Sequence, residues 1–111
     1  MIKNILLVVV FLFSVKMAAQ KVFSVEFQSQ ADVKVFVVKY ESQADLKVFK
    51  IDYQSQADGN EGKWFFVNYS SQADKKIYFV DDESQADLKV FFVKYQSQAG
   101  WNKKEKKQLM Y

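Results

Sequence analysis

The chain has 111 residues, room for one domain, and a formal charge of +3 from 16 lysines against 13 acidic residues. It contains no cysteine, histidine, proline, arginine or threonine. That excludes a disulfide framework, zinc, haem or copper sites built on nitrogen or sulfur, nucleophiles that lean on a histidine base, and the guanidinium fork that reads phosphate or guanine.

Lys3 opens a short positive region, Ile5 to Val15 are apolar, and Met17-Ala18-Ala19 ends in small residues. This is the pattern of a secretory signal cleaved after Ala19, so the mature chain is expected to start at Gln20. The apolar run is shorter than the about 20 residues that span a bilayer. An exported chain without cysteine fits a bacterial envelope better than a eukaryotic secretory route. Removal of residues 1–19 leaves 14 lysines against 13 acids, and setting aside the tail (Lys103, Lys104, Glu105, Lys106, Lys107) leaves 10 against 12. The basic balance is a tail property, and no nucleic-acid surface is expected.

Residues 20–102 are six copies of one unit. Ser-Gln-Ala-Asp stands at 29–32, 42–45, 55–58, 71–74 and 84–87, and 97–100 reads Ser-Gln-Ala-Gly. The spacing is thirteen residues, except for one interval of sixteen that holds Gly59-Asn60-Glu61-Gly62, a loop composition. Aligned columns are Lys21 with its five equivalents, then Val22, Val35, Val48, Trp64, Ile77, Val90, then Phe23, Phe36, Phe49, Phe65, Tyr78, Phe91. Further on come the columns headed by Val25 and by Phe27, the latter holding Tyr40, Tyr53, Tyr69, Asp82 and Tyr95. Apolar and small residues fall on every second position, the signature of strands with one buried face. On this reading the Phe23, Val25 and Phe27 columns point inward. The alternation breaks once per unit, where Val meets Phe, which calls for a corner or bulge.

The predicted fold class is therefore all-β. Two architectures fit: a β-solenoid in which each unit is one coil and like residues stack, and an antiparallel meander with one longer strand per unit. The solenoid is favoured, because Ser-Gln-Ala-Asp is a weak hairpin turn and because every column recurs, loop included. It places Phe36 beside Phe49 and Phe79 beside Phe92. Residues 103–111 form a basic tail, read as a short cap, with Trp101 in the Leu column covering the last apolar edge.

The Ala-Asp-Leu-Lys-Val-Phe units with Tyr-x-Ser-Gln-Ala-Asp, together with the Gly-Asn-x-Gly insertion and Trp64-Phe65-Phe66 after it, resemble a family of small exported proteins of unknown function typical of Bacteroidota. The resemblance covers residues 20–102. It implies a Gram-negative envelope location and supplies no catalytic residue.

Few residues invite chemistry. The column Asp32, Asp45, Asp58, Asp74, Asp87 offers paired carboxylates of the glycosidase kind. Its repetition argues instead for a solvent face of Asp–Lys pairs such as Asp32 with Lys34, each contributing about 0–1 kcal/mol. Asp58-Gly59-Asn60-Glu61 is the one stretch shaped like a calcium loop, and an ordinary polar turn is preferred for it. Asp82 interrupts the aromatic column and is expected to bulge outward with Asp81 and Glu83. The tail lysines are read as solvated rather than lipid-bound. The remaining departure is the column Ser24, Val37, Lys50, Phe66, Phe79, Phe92. By parity it faces out, and its last three members form a candidate partner-binding stripe. The expected function is a non-enzymatic exported binding or scaffold module of the bacterial envelope, periplasmic or secreted. It needs no cofactor or metal, and its partner is an envelope protein or a glycan. The alternatives are a small accessory subunit of an envelope export or assembly complex, and a carbohydrate-active enzyme using paired carboxylates.

Overall fold

The computed structural model describes residues 20–53 and 60–111. The expected signal, the third Ser-Gln-Ala-Asp at 55–58 and Gly59 lie outside the described residues. Each unit contributes one short strand. These are β1 (Lys21–Ser24), β2 (Val33–Val37), β3 (Leu46–Lys50), β4 (Lys63–Phe66), β5 (Lys75–Phe79) and β6 (Leu88–Phe92), with a two-residue β7 (Gly100–Trp101) at the end. Between them stand 3-10 turns at Gln28–Gln30, Glu41–Gln43, Ser70–Gln72, Glu83–Gln85 and Gln96–Gln98, and the tail carries a 3-10 segment, Lys104–Met110. The protein is mostly β, and among the described residues no helix is long and apolar enough to cross a membrane.

The strand order is β4-β1-β5-β2-β6-β3, and β3 pairs again with β4, so the sheet closes on itself. All six strands run parallel, and only β7 is antiparallel, to β3. This corrects both expected architectures. In a meander neighbours alternate in direction, and here they do not. In a solenoid Phe36 lies beside Phe49, but Phe36 faces Lys89, and β6 stands between β2 and β3. Phe79 likewise faces Val35, with β2 between β5 and β6. The first three units wind once around the barrel, and the last three wind again through the gaps.

Register explains how short strands manage this. Phe79 faces Val35 rather than its repeat equivalent Val37, and the same two-residue offset recurs at each of the six seams. Six seams of two residues make a total stagger of twelve. A large stagger means steeply tilted strands. Each strand therefore carries the chain around the axis as it rises, and segments as short as 25–32 suffice for a parallel return that normally needs a dozen residues or more. Because the offset is even, side-chain parity survives at every seam. Because it is uniform, each repeat column closes into a ring at one height rather than a vertical stack.

The rings form the interior. Val22, Val35, Val48, Trp64, Ile77 and Val90 make the central one, each with 0% exposure. Five β-branched residues hold their χ1 stiffly and leave the axis to a single indole. One ring below are Gln20, Val33, Leu46, Gly62, Lys75 and Leu88, of which Leu46 and Leu88 are fully buried. Gly62 has φ +91, and a Cβ there would run into the Lys47 carbonyl oxygen, so the β3–β4 seam closes only around a glycine.

The Phe23 and Val25 columns were expected inside and are not. Val22 points inward, so Phe23 points outward, and the Val–Phe junction is an ordinary pleat separating two apolar layers. The Phe23 column is half-buried and Val25, Val38, Ile51 and Val80 are buried on the outer side of the barrel. The return segments pass there. The 3-10 turn after β1 packs on β5, the one after β2 on β6, the one after β4 on β1, and the one after β6 on β3. Returns of the first winding thus run outside strands of the second, and returns of the second run outside strands of the first. Neither winding can be lifted off without drawing a chain end through the other.

Candidate interaction surface

The aspartates hold the ladder together. At the start of β2 the Asp32 N–H bonds the Lys76 carbonyl at 2.7 Å, while the Lys76 N–H donates to Asp32 Oδ2 at 2.9 Å. Asp74 and Lys21, Asp87 and Lys34, and Asp45 and Lys89 repeat the exchange. The partner is the lysine main chain of a different unit, which corrects the expected Asp32–Lys34 surface pairing. A carboxylate receiving a main-chain N–H at a ladder end is a terminal cap, with a structural reason to recur in every unit. The lysine ammoniums find glutamates instead, Lys47 with Glu41 and Lys89 with Glu83. No cluster among the described residues is suited to a metal ion.

Asp45 does more than its equivalents. It is fully buried, and its Oδ2 also accepts from Lys106 Nζ at 3.0 Å, with Lys103 Nζ 3.7 Å from Oδ1. Its carbonyl takes the N–H groups of Asn102 and Lys103. The tail docks here and folds Met110 into the core at 0% exposure. Asn60 joins in, its amide donating to the Lys107 carbonyl and its own carbonyl accepting the Trp101 indole N–H. Of the stretch 58–61, expected as an ordinary polar turn, Asp58 and Gly59 lie outside the described residues, while Asn60 and Glu61 hold the tail. Glu61 pairs with Lys107, and that hydrogen bond raises the lysine pKa. The tail lysines 103, 106 and 107 are therefore engaged with carboxylates.

The opposite mouth of the barrel carries Phe66, Phe79 and Phe92. Around the ring their column reads Phe66, Ser24, Phe79, Val37, Phe92, Lys50, large alternating with small or polar. The three phenylalanines are half-buried and pack on the core. Phe66 and Phe92 meet Trp64 edge-on, at 6.2 and 6.5 Å between centroids, and Lys50 Nζ lies 5.0 Å from the Phe66 centroid. The expected outward stripe is corrected on both counts. The column shares the parity of the Val22 column and faces in, and its phenylalanines are separated from one another by a strand of the first winding.

The exposed aromatics of the repeats are elsewhere. Phe27, Tyr40, Tyr53, Tyr69 and Tyr95 are 63–68% exposed, although strand periodicity assigned them to the buried face. Three residues past the phenylalanine ring, each stands where the chain leaves the barrel and enters the return segment. Phe27, Tyr40, Tyr69 and Tyr95 give their carbonyls to the glutamine N–H that closes the 3-10 turn. The strand has already ended there, so its parity no longer applies. Asp82 holds the sixth position and is exposed, with Asp81 and Glu83. The result is a rim of five aromatic side chains and one carboxylate around the phenylalanine mouth. Neighbours such as Lys39, Glu41, Ser42 and Gln43 are exposed as well.

Comparison with protein families matches residues 19–102 to the 7(1) septoil knot domain. The chain belongs to this family, a small repeat-type domain, and the two interlaced windings accord with the name. Comparisons with curated proteins and with solved structures give no match.

Proposed function

We propose that this protein is a non-enzymatic binding module, exported to the envelope of a Gram-negative bacterium of the Bacteroidota, that grips glycan through its aromatic rim. The carrying observation is the exposure of Phe27, Tyr40, Tyr53, Tyr69 and Tyr95 at equivalent positions of five units. Rings this exposed forgo much of the burial they would gain in a core, where it is worth roughly 1.5–3 kcal/mol each. Tyrosine offers a flat apolar face and a polar tip, the combination that stacks on a sugar ring and bonds its hydroxyls. The serines and glutamines beside each ring supply further donors and acceptors. An apolar protein partner asks for a contiguous patch, whereas here each ring is flanked in sequence by polar side chains. In this reading Phe66, Phe79 and Phe92 support the rim from beneath, and the capped aspartates serve the ladder rather than a hydrolytic step.

The test is titration of the purified protein with soluble peptidoglycan fragments and with lipopolysaccharide, followed by intrinsic fluorescence and calorimetry. Binding to either, weakened at least about tenfold in Tyr40→Ser/Tyr69→Ser/Tyr95→Ser (a loss of about 1.4 kcal/mol) with the melting midpoint unchanged, is the expected result. Glycan binding that survives the triple change, or no binding to either polymer, sinks the proposal.

A further inference from the structure

One residue per unit stands directly before the rim side chain: Glu26, Lys39, Asp52, Asn68, Asp81 and Lys94, all exposed. Along the chain acidic and basic members take turns. In strand order around the barrel the same column reads Asn68, Glu26, Asp81, Lys39, Lys94, Asp52, so the interleaving sorts the charges by sign. Glu26 and Asp81 come together over β1 and β5, where Asp82 adds a third exposed carboxylate. Lys39 and Lys94 come together over β2 and β6. Asp52 shares β3 with Lys50, whose Nζ lies over the Phe66 ring, so that sector is balanced. Like charges side by side repel, and this sorting does nothing for the barrel. The wall shows the stabilising alternative, with Lys47 at 3.8 Å from Glu41 and Lys89 at 3.3 Å from Glu83. Among the described residues Glu26, Asp81, Asp82, Lys39 and Lys94 form no such pair. The aromatic mouth therefore carries two neighbouring arcs of opposite sign.

Resting on the glycan reading above, we propose that the rim takes a zwitterionic glycan, one that bears a free amine as well as carboxylates. Sugar rings lie on the aromatic faces, the carboxylates meet Lys39 and Lys94, and the amine meets Glu26, Asp81 and Asp82. A peptidoglycan disaccharide with its peptide stem carries both charges. Lipopolysaccharide, rich in phosphate and carboxylate, satisfies the lysine arc and is repelled by the acidic one. Exposed ion pairs contribute little each, so the arcs act on the choice of ligand and its orientation more than on total affinity. A second copy turned face to face also sets acids against lysines, but the polar side chains between the rings leave it no contiguous apolar centre of the kind a stable dimer buries.

The experiment is calorimetric titration of the purified protein, at low salt, with three probes. They are a peptidoglycan disaccharide-peptide with free carboxylates and a free side-chain amine, the same compound with that amine acetylated, and lipopolysaccharide. The free-amine compound is expected to bind tightest, and acetylation to weaken it at least about threefold. Asp81→Asn/Asp82→Asn is expected to erase that difference while the melting midpoint and the affinity for the acetylated compound stay unchanged. Equal affinity of the parent for the free and acetylated compounds, or tighter binding of lipopolysaccharide, overturns the inference and leaves the glycan rim standing. No binding to any of the three overturns both. Sedimentation of the protein without ligand is the remaining arm: a monomer is expected, and a dimer that Lys39→Glu/Lys94→Glu dissolves overturns the inference in favour of a second copy.

Discussion

Phe66 and Tyr69 lie three residues apart in one unit, and the structure gives them opposite roles. Phe66 is half-buried, packs on the core, meets Trp64 edge-on and lies under Lys50 Nζ, whereas Tyr69 is 67% exposed. Truncating a fully buried phenylalanine to alanine costs about 3–5 kcal/mol. Partial exposure reduces that, while the lost aromatic pair returns about 0.5–1.5 kcal/mol. The expected cost of Phe66→Ala is about 2–3 kcal/mol. Tyr69→Ala leaves water where water already is, and its expected cost is within about 0.5 kcal/mol. Urea unfolding of both variants beside the parent measures the difference, with equilibrium approached from the folded and unfolded sides because an interlaced chain must rethread. Against a total of about 5–15 kcal/mol, both proteins remain folded and comparable. Equal shifts, or a Phe66→Ala shift below about 0.5 kcal/mol, refute the assignment of this column to the interior and restore the outward stripe.

Two further outcomes follow from the tail and the seam. Lys106→Ala removes the closest cation from a fully buried carboxylate and is expected to cost about 2–4 kcal/mol, less than a fully stranded charge because Lys103 remains 3.7 Å away; the double variant Asp45→Asn/Lys106→Ala is expected to recover part of that loss, and strict additivity in the double-mutant cycle counts against a coupled pair. Gly62→Ala meets both a left-handed φ of +91 and the Lys47 carbonyl oxygen, and is expected to cost about 3 kcal/mol or more by thermal unfolding, whereas an unchanged midpoint contradicts the tight β3–β4 closure.

The strands were legible because period-two alternation is a local property, set by the pleat alone. The six-residue central ring was legible as a column for the same reason. Which side of the pleat each column takes was not, since the unit is apolar on both faces. Val22 fills the barrel and Phe23 fills the layer beneath the returns, so neither face reads as polar. The rim tyrosines were misassigned because parity was carried past the end of the strand into the 3-10 turn. Pairing of units was the least legible feature. With nearly identical units, most columns do not distinguish stacking on the next copy from skipping one position around a ring.

One irregularity did carry that information. Ser24, Val37 and Lys50 give way to Phe66, Phe79 and Phe92 halfway along the chain. In a stacked rod such a switch makes one half of the molecule different from the other, and nothing in the packing of a rod requires it. In two interleaved windings it makes large and small side chains alternate around one mouth, which three rings fill and six would overcrowd. The sixteen-residue interval falls at the same boundary. There the chain moves one strand position, from β3 to its neighbour β4, instead of the two positions of every other step along the barrel. A repeat whose column composition changes at the same point as its spacing is thus the pattern that interleaving demands. Exchanging the residues at positions 24 and 66 tests the point directly. The exchange conserves composition and disturbs a stacked rod little. In the interleaved ring it sets a new aromatic side chain next to Phe79 and opens a gap beside Trp64. Ser24→Phe/Phe66→Ser is therefore expected to lose about as much stability as Phe66→Ala alone, and full retention of the parent midpoint would contradict the alternating ring.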